Sequence, residues 1–334
     1  MRLEELHYVL PEAAIAQHPS ERRDAARLLV ALGGAVEHAT VSHLPTLLGA
    51  GDVLVVNDTR VLPARLHLSK SSGGAVEVLL LAPLDPDRVT WEALVRPGRR
   101  VPPGTTLVDH TGRAAVTVGA HAGADGQRVV HLSRDETPEA LLDRIGAVPL
   151  PPYIHEALAD PERYQTVFAR EAGSVAAPTA GLHLTTELLD ECRAVGATVA
   201  TVTLEVGLGT FQPISADLVE DHTMHAERYS VPASTLEACR GAGRVIAIGT
   251  TTLRALESAA ASGDLCGSTN LFIHGEYDFE IVDVLLTNFH LPGSSLLALL
   301  GSFAGPRWRE LYELALREGY RFLSFGDAML IGRQ

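Results

Sequence analysis

Six side chains in this 334-residue sequence stand in settings suited to moving a proton: His183, Glu205, His222, His225, Glu227 and His290. His183 closes the run G-S-V-A-A-P-T-A-G-L-H at 173–183, small residues and turn formers just before a helix. Small side chains let a ligand approach the backbone, and a helix N-terminus offers unpaired N–H groups. On that reading Pro178, Thr179 and Gly181 line a substrate and His183 faces it; the same composition also fits a tight loop around a packing histidine. Glu205 sits near the end of an apolar strand that runs into G-L-G-T at 207–210. A carboxylate beside a desolvated pocket has its pKa raised toward that of a general base, whereas an outward-facing strand residue does not. Gly207, Gly209 and Thr210 could admit a ligand to the backbone or simply form a turn; the third glycine of a dinucleotide fingerprint is missing.

The stretch D-H-T-M-H-A-E at 221–227 gathers two imidazoles and two carboxylates. Its H-x-x-H spacing invites a metal, but zinc needs three or four ligands and no partner motif is present, so an acid/base or orienting cluster fits better than a metal site. The strand-to-helix turn G-T-T-T at 249–252, with Thr250, Thr251 and the following Arg254, suits an anion as well as it suits ordinary capping. Asn288 and His290, in T-N-F-H-L-P at 287–292, end a buried strand, where α/β sites collect.

The elements that must hold these groups follow from periodicity. The first 66 residues predict mixed α/β structure, with a short helix near 11–17 and an apolar strand, D-V-L-V-V, that ends at Asn57 and Thr59. From 67 to 146 short alternating runs broken by Gly and Pro turns predict a small antiparallel β-barrel inserted into the main domain. From 147 to 334 strands and helices alternate again. Helices are expected over 185–195, 253–261, 294–303 and 307–318, and strands over 197–206, 244–248, 281–287 and 321–325. The fold class is therefore α/β with two domains: a discontinuous mixed α/β catalytic domain, 1–66 with 147–334, and the barrel.

Composition bounds the function. Hydrophobic residues at 46% and charged residues at 20% describe a chain that can bury a core. No apolar run reaches the roughly 18 residues of a membrane span, and M-R-L-E-E lacks a secretory layout, so the cytoplasm is expected. Cys192, Cys239 and Cys266 lie too far apart in sequence to suggest a disulfide framework. A net charge of −14 argues against a nucleic-acid binder. Yet Lys70 is the only lysine, so nearly all cations are arginines, and clusters such as Arg60 with Arg65 and Arg96 with Arg99 and Arg100 can form a local basic face.

Taken in order, the segments are similar to the motif series of the S-adenosylmethionine:tRNA ribosyltransferase-isomerase family. The matching stretches include G-D-V-L-V-V-N-D-T-R-V-L-P-A-R-L at 51–66, P-L-P-P-Y-I at 149–154, V-A-A-P-T-A-G-L-H at 175–183, V-G-L-G-T-F-Q-P at 206–213, H-T-M-H-A-E at 222–227, L-L-T-N-F-H-L-P at 285–292 and Y-R-F-L-S-F-G-D-A-M-L-I at 320–331. The resemblance covers essentially the whole chain. It implies a main α/β domain with an inserted barrel, no metal, no cofactor beyond S-adenosylmethionine as co-substrate, and tRNA as the partner of a monomeric enzyme. His183, Glu205, His222, His225, Glu227 and His290 become the candidates for proton handling. Asn57, Thr59, Pro178, Thr179, Gly181, Gly207, Gly209, Thr210, Thr250, Thr251, Arg254 and Asn288 are those for holding substrate, and Arg60, Arg65 and Arg96 those for tRNA phosphates.

Three positions depart from the family's pattern. Glu205 stands where a histidine is usual, Leu184 where phenylalanine is, and H-G-E-Y at 274–277 where P-G-Y is expected. If that histidine is the essential base, Glu205 needs a raised pKa to replace it, or the nucleobase differs. The competing readings are a paralogue that binds tRNA or S-adenosylmethionine without the transfer, a metal-dependent hydrolase using His222 and His225, and a pure RNA-binding module.

Overall fold

Strand Asp52–Asn57 is buried along its whole length, and its alternate residues serve two different cores. Val53 and Val55 enter one, Leu54 and Val56 the other. The same division holds for Val245 and Ala247 against Ile246 and Ile248, and for Met329 and Ile331 against Leu330. Near-continuous apolar runs are what a sheet covered on both faces requires, and each fully buried Leu or Ile contributes roughly 1.5–3 kcal/mol.

The computed structural model describes residues 1–122, 126–207, 214 and 216–334; Gly209 and Thr210 fall outside them. The chain divides into two compact units, one of Met1–Arg60 with Pro151–Gln334 and one of Val61–Leu150. In the first, a nine-stranded sheet runs in the order Cys266–Thr269, Glu227–Ser230, Thr198–Leu204, Asp52–Asn57, Arg244–Ile248, Val284–Asn288, Ala328–Gly332, Arg27–Ala31, Glu37–Thr40. Its four central strands, from Thr198–Leu204 to Val284–Asn288, are parallel. Their carboxyl ends, Leu204, Asn57, Ile248 and Asn288, therefore come to one edge. Ala328–Gly332 runs antiparallel to Val284–Asn288 and starts at that edge, with Ala328 opposite Asn288. Helices Thr250–Ser262, Ser295–Ala304 and Arg307–Arg317 contribute Leu253, Leu297 and Leu311 to one core, and helix Thr186–Ala194 contributes Leu188 and Cys192 to the other.

The second unit is an antiparallel barrel of Arg65–Lys70, Ala75–Pro83, Thr90–Arg96, Gln127–Leu132, Ala114–Ala122 and Thr106–Val108, closed by the pairing of Ser69 with Val108 and Lys70 with Leu107. Val76, Val78 and Leu80 point inward on alternate positions, while Glu77 between them is only half-buried. Arg128 is nevertheless buried in it, because its guanidinium donates to the carbonyls of Gly119 and Val101. The mixed α/β domain and the small antiparallel barrel are thus the architecture that the alternation of periods predicts.

Two expected elements differ. The predicted helix near 11–17 is a single 3-10 turn, Glu12–Ala14, after which Ile15 bridges to Phe322. The alternating aromatics over 321–325 predict a strand, but the chain turns there and the last strand is Ala328–Gly332. Leu323 adopts φ 70, and Gly326 lies so close to the preceding backbone that a Cβ would fall 2.5 Å from the Arg321 carbonyl oxygen. The Asp327 carboxylate then accepts the backbone N–H groups of Arg27 and Arg321 at 3.0 and 2.8 Å. Local alternation mimics a strand, whereas only A-M-L-I has apolar side chains for both faces of the sheet.

Gly326→Ala should therefore destabilise the fold by roughly 1–3 kcal/mol, the usual cost of forced overpacking. A melting midpoint equal to the parent's would show that the turn has room to spare.

Candidate functional site

Asn288, the last residue of a central parallel strand, is buried, and its side chain makes three hydrogen bonds among the described residues. Its Oδ1 accepts from the Thr179 hydroxyl at 2.9 Å; its Nδ2 donates to the Leu323 carbonyl at 3.2 Å and lies 3.1 Å from His183 Nε2. Thr179 and His183 come from one 3-10 turn, Thr179–His183, which the small residues of this loop allow to pack tightly. A Cβ on Gly181 would stand 2.8 Å from the Phe168 ring, so a larger residue there would have to displace that ring. Burial pushes the His183 pKa down to about 4, so its imidazole is neutral at pH 7.

His290 follows two residues later and is buried as well. Its Nε2 lies 2.9 Å from the Thr287 hydroxyl, its backbone N–H donates to Tyr312 and its carbonyl accepts from Tyr8. Burial drives its pKa down to about 3. Thr179, Asn288 and His290 line one cleft with Tyr153, Ser294 and Ser324, and the Tyr153 and Ser324 hydroxyls are 2.7 Å apart. His183 lines a neighbouring cleft with Ser20, Arg23, Arg163 and Phe325.

A second buried polar cluster lies along the same sheet. Glu227 and Arg254 form a buried ion pair, Glu227 Oε1 also accepts the Gly207 N–H at 2.8 Å, and Arg254 Nε donates to the Leu271 carbonyl. Among the described residues Arg254 Nη2 has no hydrogen-bond partner. Thr250 and Thr251 open the Arg254 helix after Gly249, whose φ of 88 suits glycine. Asn57 donates to Thr251 Oγ1 and to the Leu204 carbonyl, while the Thr59 hydroxyl lies 2.6 Å from that of Ser174. Asn57 and Thr59 thus fasten strand ends together, and Pro178 is buried within the loop wall.

Glu205 packs against Gly173, at the start of the loop that carries His183. Glu205 is not shut in an apolar pocket: its carboxylate accepts from Arg228 Nε and Nη2 at 3.0 and 3.1 Å, and the arginine side chain is 58% exposed. Of the two settings the sequence leaves open, a desolvated pocket and an outward-facing strand residue, the structure gives a partly covered side chain paired with the adjoining strand. His222 packs edge-on to Phe272, and His225 is exposed. Among the described residues no three His, Cys, Asp or Glu side chains gather as a metal site would require. Arg60 pairs with Glu162, Arg65 with Glu77, and Arg96 is exposed.

Tyr153, Ser324, Asp327, Arg23 and Arg163 reach the site without having been candidates. The signal available for Ser324 and Asp327 was S-F-G-D at 324–327, whose glycine marks a turn inside an aromatic run. Arg23 arrives because its guanidinium donates to the Leu182 and Glu162 carbonyls.

Residues 3–331 match the family described as queuosine biosynthesis protein. The chain is 52% identical to an S-adenosylmethionine:tRNA ribosyltransferase-isomerase of Moorella thermoacetica and 49% identical to one of Symbiobacterium thermophilum, in each case over 99% of this chain and 100% of the relative. Among solved structures it is similar to S-adenosylmethionine tRNA ribosyltransferase from Thermotoga maritima, with 34% identity, a TM-score of 0.55 and coverage of 98% of this chain and 99% of that one.

The two depressed imidazoles set a pH dependence. Unfolded histidines titrate near 6.5, so below that pH the unfolded chain binds protons that the native state refuses. Stability is therefore lost as pH falls from about 6.5 through about 4 for His183 and about 3 for His290, and neither contributes above that window. The His183 share is on the order of 3 kcal/mol. Denaturant titrations at pH 7 and 4.5 should show a His183→Leu variant losing less stability than the parent, and equal losses would contradict the assignment.

Proposed function

Since the chain belongs to the queuosine biosynthesis family, we propose that it is an S-adenosylmethionine:tRNA ribosyltransferase-isomerase acting on 7-aminomethyl-7-deazaguanine at the tRNA wobble position. A base removes a proton from the ribose carbon beside the sulfonium, where positive sulfur stabilises the carbanion. Adenine departs, the aminomethyl nitrogen attacks the opened ribose, and reclosure expels methionine and leaves epoxyqueuosine. On this reading the enzyme's substrates are tRNA and S-adenosylmethionine, and it works in the cytoplasm as a monomer without metal or further cofactor.

The observation that carries this reading is the buried chain from Thr179 through Asn288 to His183 at the carboxyl ends of the parallel strands. Such a site excludes water from a reactive ylide. It also suits a cationic ribosyl donor, because neutral imidazoles do not repel sulfonium as imidazoliums would in a medium of low polarity. Arg254 with the Thr250 and Thr251 amides suits the methionine carboxylate, with Glu227 holding the guanidinium in place. Asn57, Thr59, Pro178, Gly181 and Gly207 shape the floor, and Arg60, Arg65 and Arg96 supply phosphate contacts.

Incubation with S-adenosylmethionine and tRNA carrying the aminomethyl-deazaguanine, followed by mass analysis of nucleosides, should reveal adenine release and the added cyclopentane unit; absence of both would reject the assignment. In the same assay Glu205→Gln should lower turnover by less than about five-fold, since a half-exposed pair with Arg228 contributes at most ~1 kcal/mol. A loss of hundred-fold or more would put that carboxylate in the chemistry.

A further inference from the structure

We propose that His183 serves the reaction as a neutral hydrogen-bond donor through Nδ1, and that Asn288 is the positioning residue that sets this tautomer. The argument begins at the Leu323 carbonyl, which can only accept. The Asn288 atom 3.2 Å from it must therefore be the amide nitrogen, and the Thr179 hydroxyl donating to the other amide atom agrees. That same nitrogen lies 3.1 Å from His183 Nε2. An amide nitrogen cannot accept, so Nε2 carries the lone pair, and the hydrogen of the neutral ring is on Nδ1.

The consequence reverses the simplest role for this histidine. Its basic nitrogen is already occupied inside the fold, and Nδ1 has no hydrogen-bond partner among the described residues. The ring lines the cleft beside Arg23, Ser324 and Phe325. With its pKa pushed down to about 4 by burial, the ring does not take up a proton at neutral pH. It offers the cleft an N–H. Resting on the function proposed above, the matching acceptor is a purine nitrogen of the ribosyl donor, which gains electron density as the glycosidic bond breaks and its electron pair leaves with adenine. A preoriented donor aimed at developing charge is worth about 100–1,000-fold in turnover.

Leu323 is part of the device. Its φ of 70 is rare for a bulky residue, and the same carbonyl also accepts the Gly326 N–H at 2.9 Å. The turn that replaces the expected strand thus aims the acceptor that orients Asn288.

Long-range proton–nitrogen correlation spectra of the full-length protein, with His183 assigned by substitution, decide the tautomer without any turnover. The parent should show Nδ1–H, and Asn288→Asp, whose carboxylate only accepts, should convert the ring to Nε2–H. A parent in the Nε2–H form, or a folded Asn288→Asp protein still in the Nδ1–H form, would overturn the proposal. For the donor role, the asparagine amide nitrogen lies about where Nδ1 does, and that of glutamine about where Nε2 does. His183→Asn should therefore lose at least tenfold less turnover than His183→Gln and His183→Ala, each down about 100-fold or more; equal losses in all three would refute it. A parent without turnover on the aminomethyl-deazaguanine tRNA would sink the function while leaving the tautomer measurement intact.

Discussion

One carboxamide ties the site together. Asn288 ends a central strand, and its amide takes hold of the Thr179–His183 turn on one side and the Leu323 turn on the other. An amide buried without partners loses roughly 1–3 kcal/mol per unsatisfied group. Three segments far apart in sequence therefore have a common energetic reason to meet at this strand end. Remove that reason, and the turn that presents the imidazole loses its tie to the strand end, leaving the loop held by Arg23 at the Leu182 carbonyl and by Thr59 at Ser174.

The buried charges show a similar economy. Glu227 is paired with Arg254, and Asp327 is surrounded by the backbone amides of Arg27 and Arg321 as well as the Arg321 guanidinium. Each satisfied carboxylate fixes a turn or a strand start at the edge where the site lies. Breaking such a pair strands a charge in the interior, which costs far more than the pair contributes when intact. These groups are better understood as locating the backbone than as adding stability.

Electrostatics also reconcile an acidic chain with its proposed substrates. Arg23, Arg163 and Arg321 gather near His183, yet their guanidiniums are engaged with backbone carbonyls, a serine hydroxyl and Asp327. They brace the loop, while burial keeps the ring uncharged; the Asp327 carboxylate works the other way, and Arg321 and Arg23 oppose protonation. A cationic sulfonium thus meets dipoles and neutral rings, while the arginines exposed elsewhere remain available to phosphate.

Much of this was legible in the residues themselves. Apolar runs with period two announced the strands, glycine and proline punctuation announced the barrel, and Thr185 and Ser294 announced helix starts that the structure caps with their hydroxyls. The loop ending at His183 and the strand end at Asn288 could be marked as places for chemistry because small residues, turns and polar strand ends are local features. What local pattern could not convey is which groups meet. Whether Glu205 sits in a pocket or faces outward stayed open in sequence, and the structure pairs it with Arg228 of the neighbouring strand; the aromatic run at 320–325 looked like a strand, but a turn through Leu323 and Gly326 uses it to aim a carbonyl. The protonation state of an imidazole depends on burial and on partners a hundred residues away, and those quantities come into being only when the chain has closed on itself.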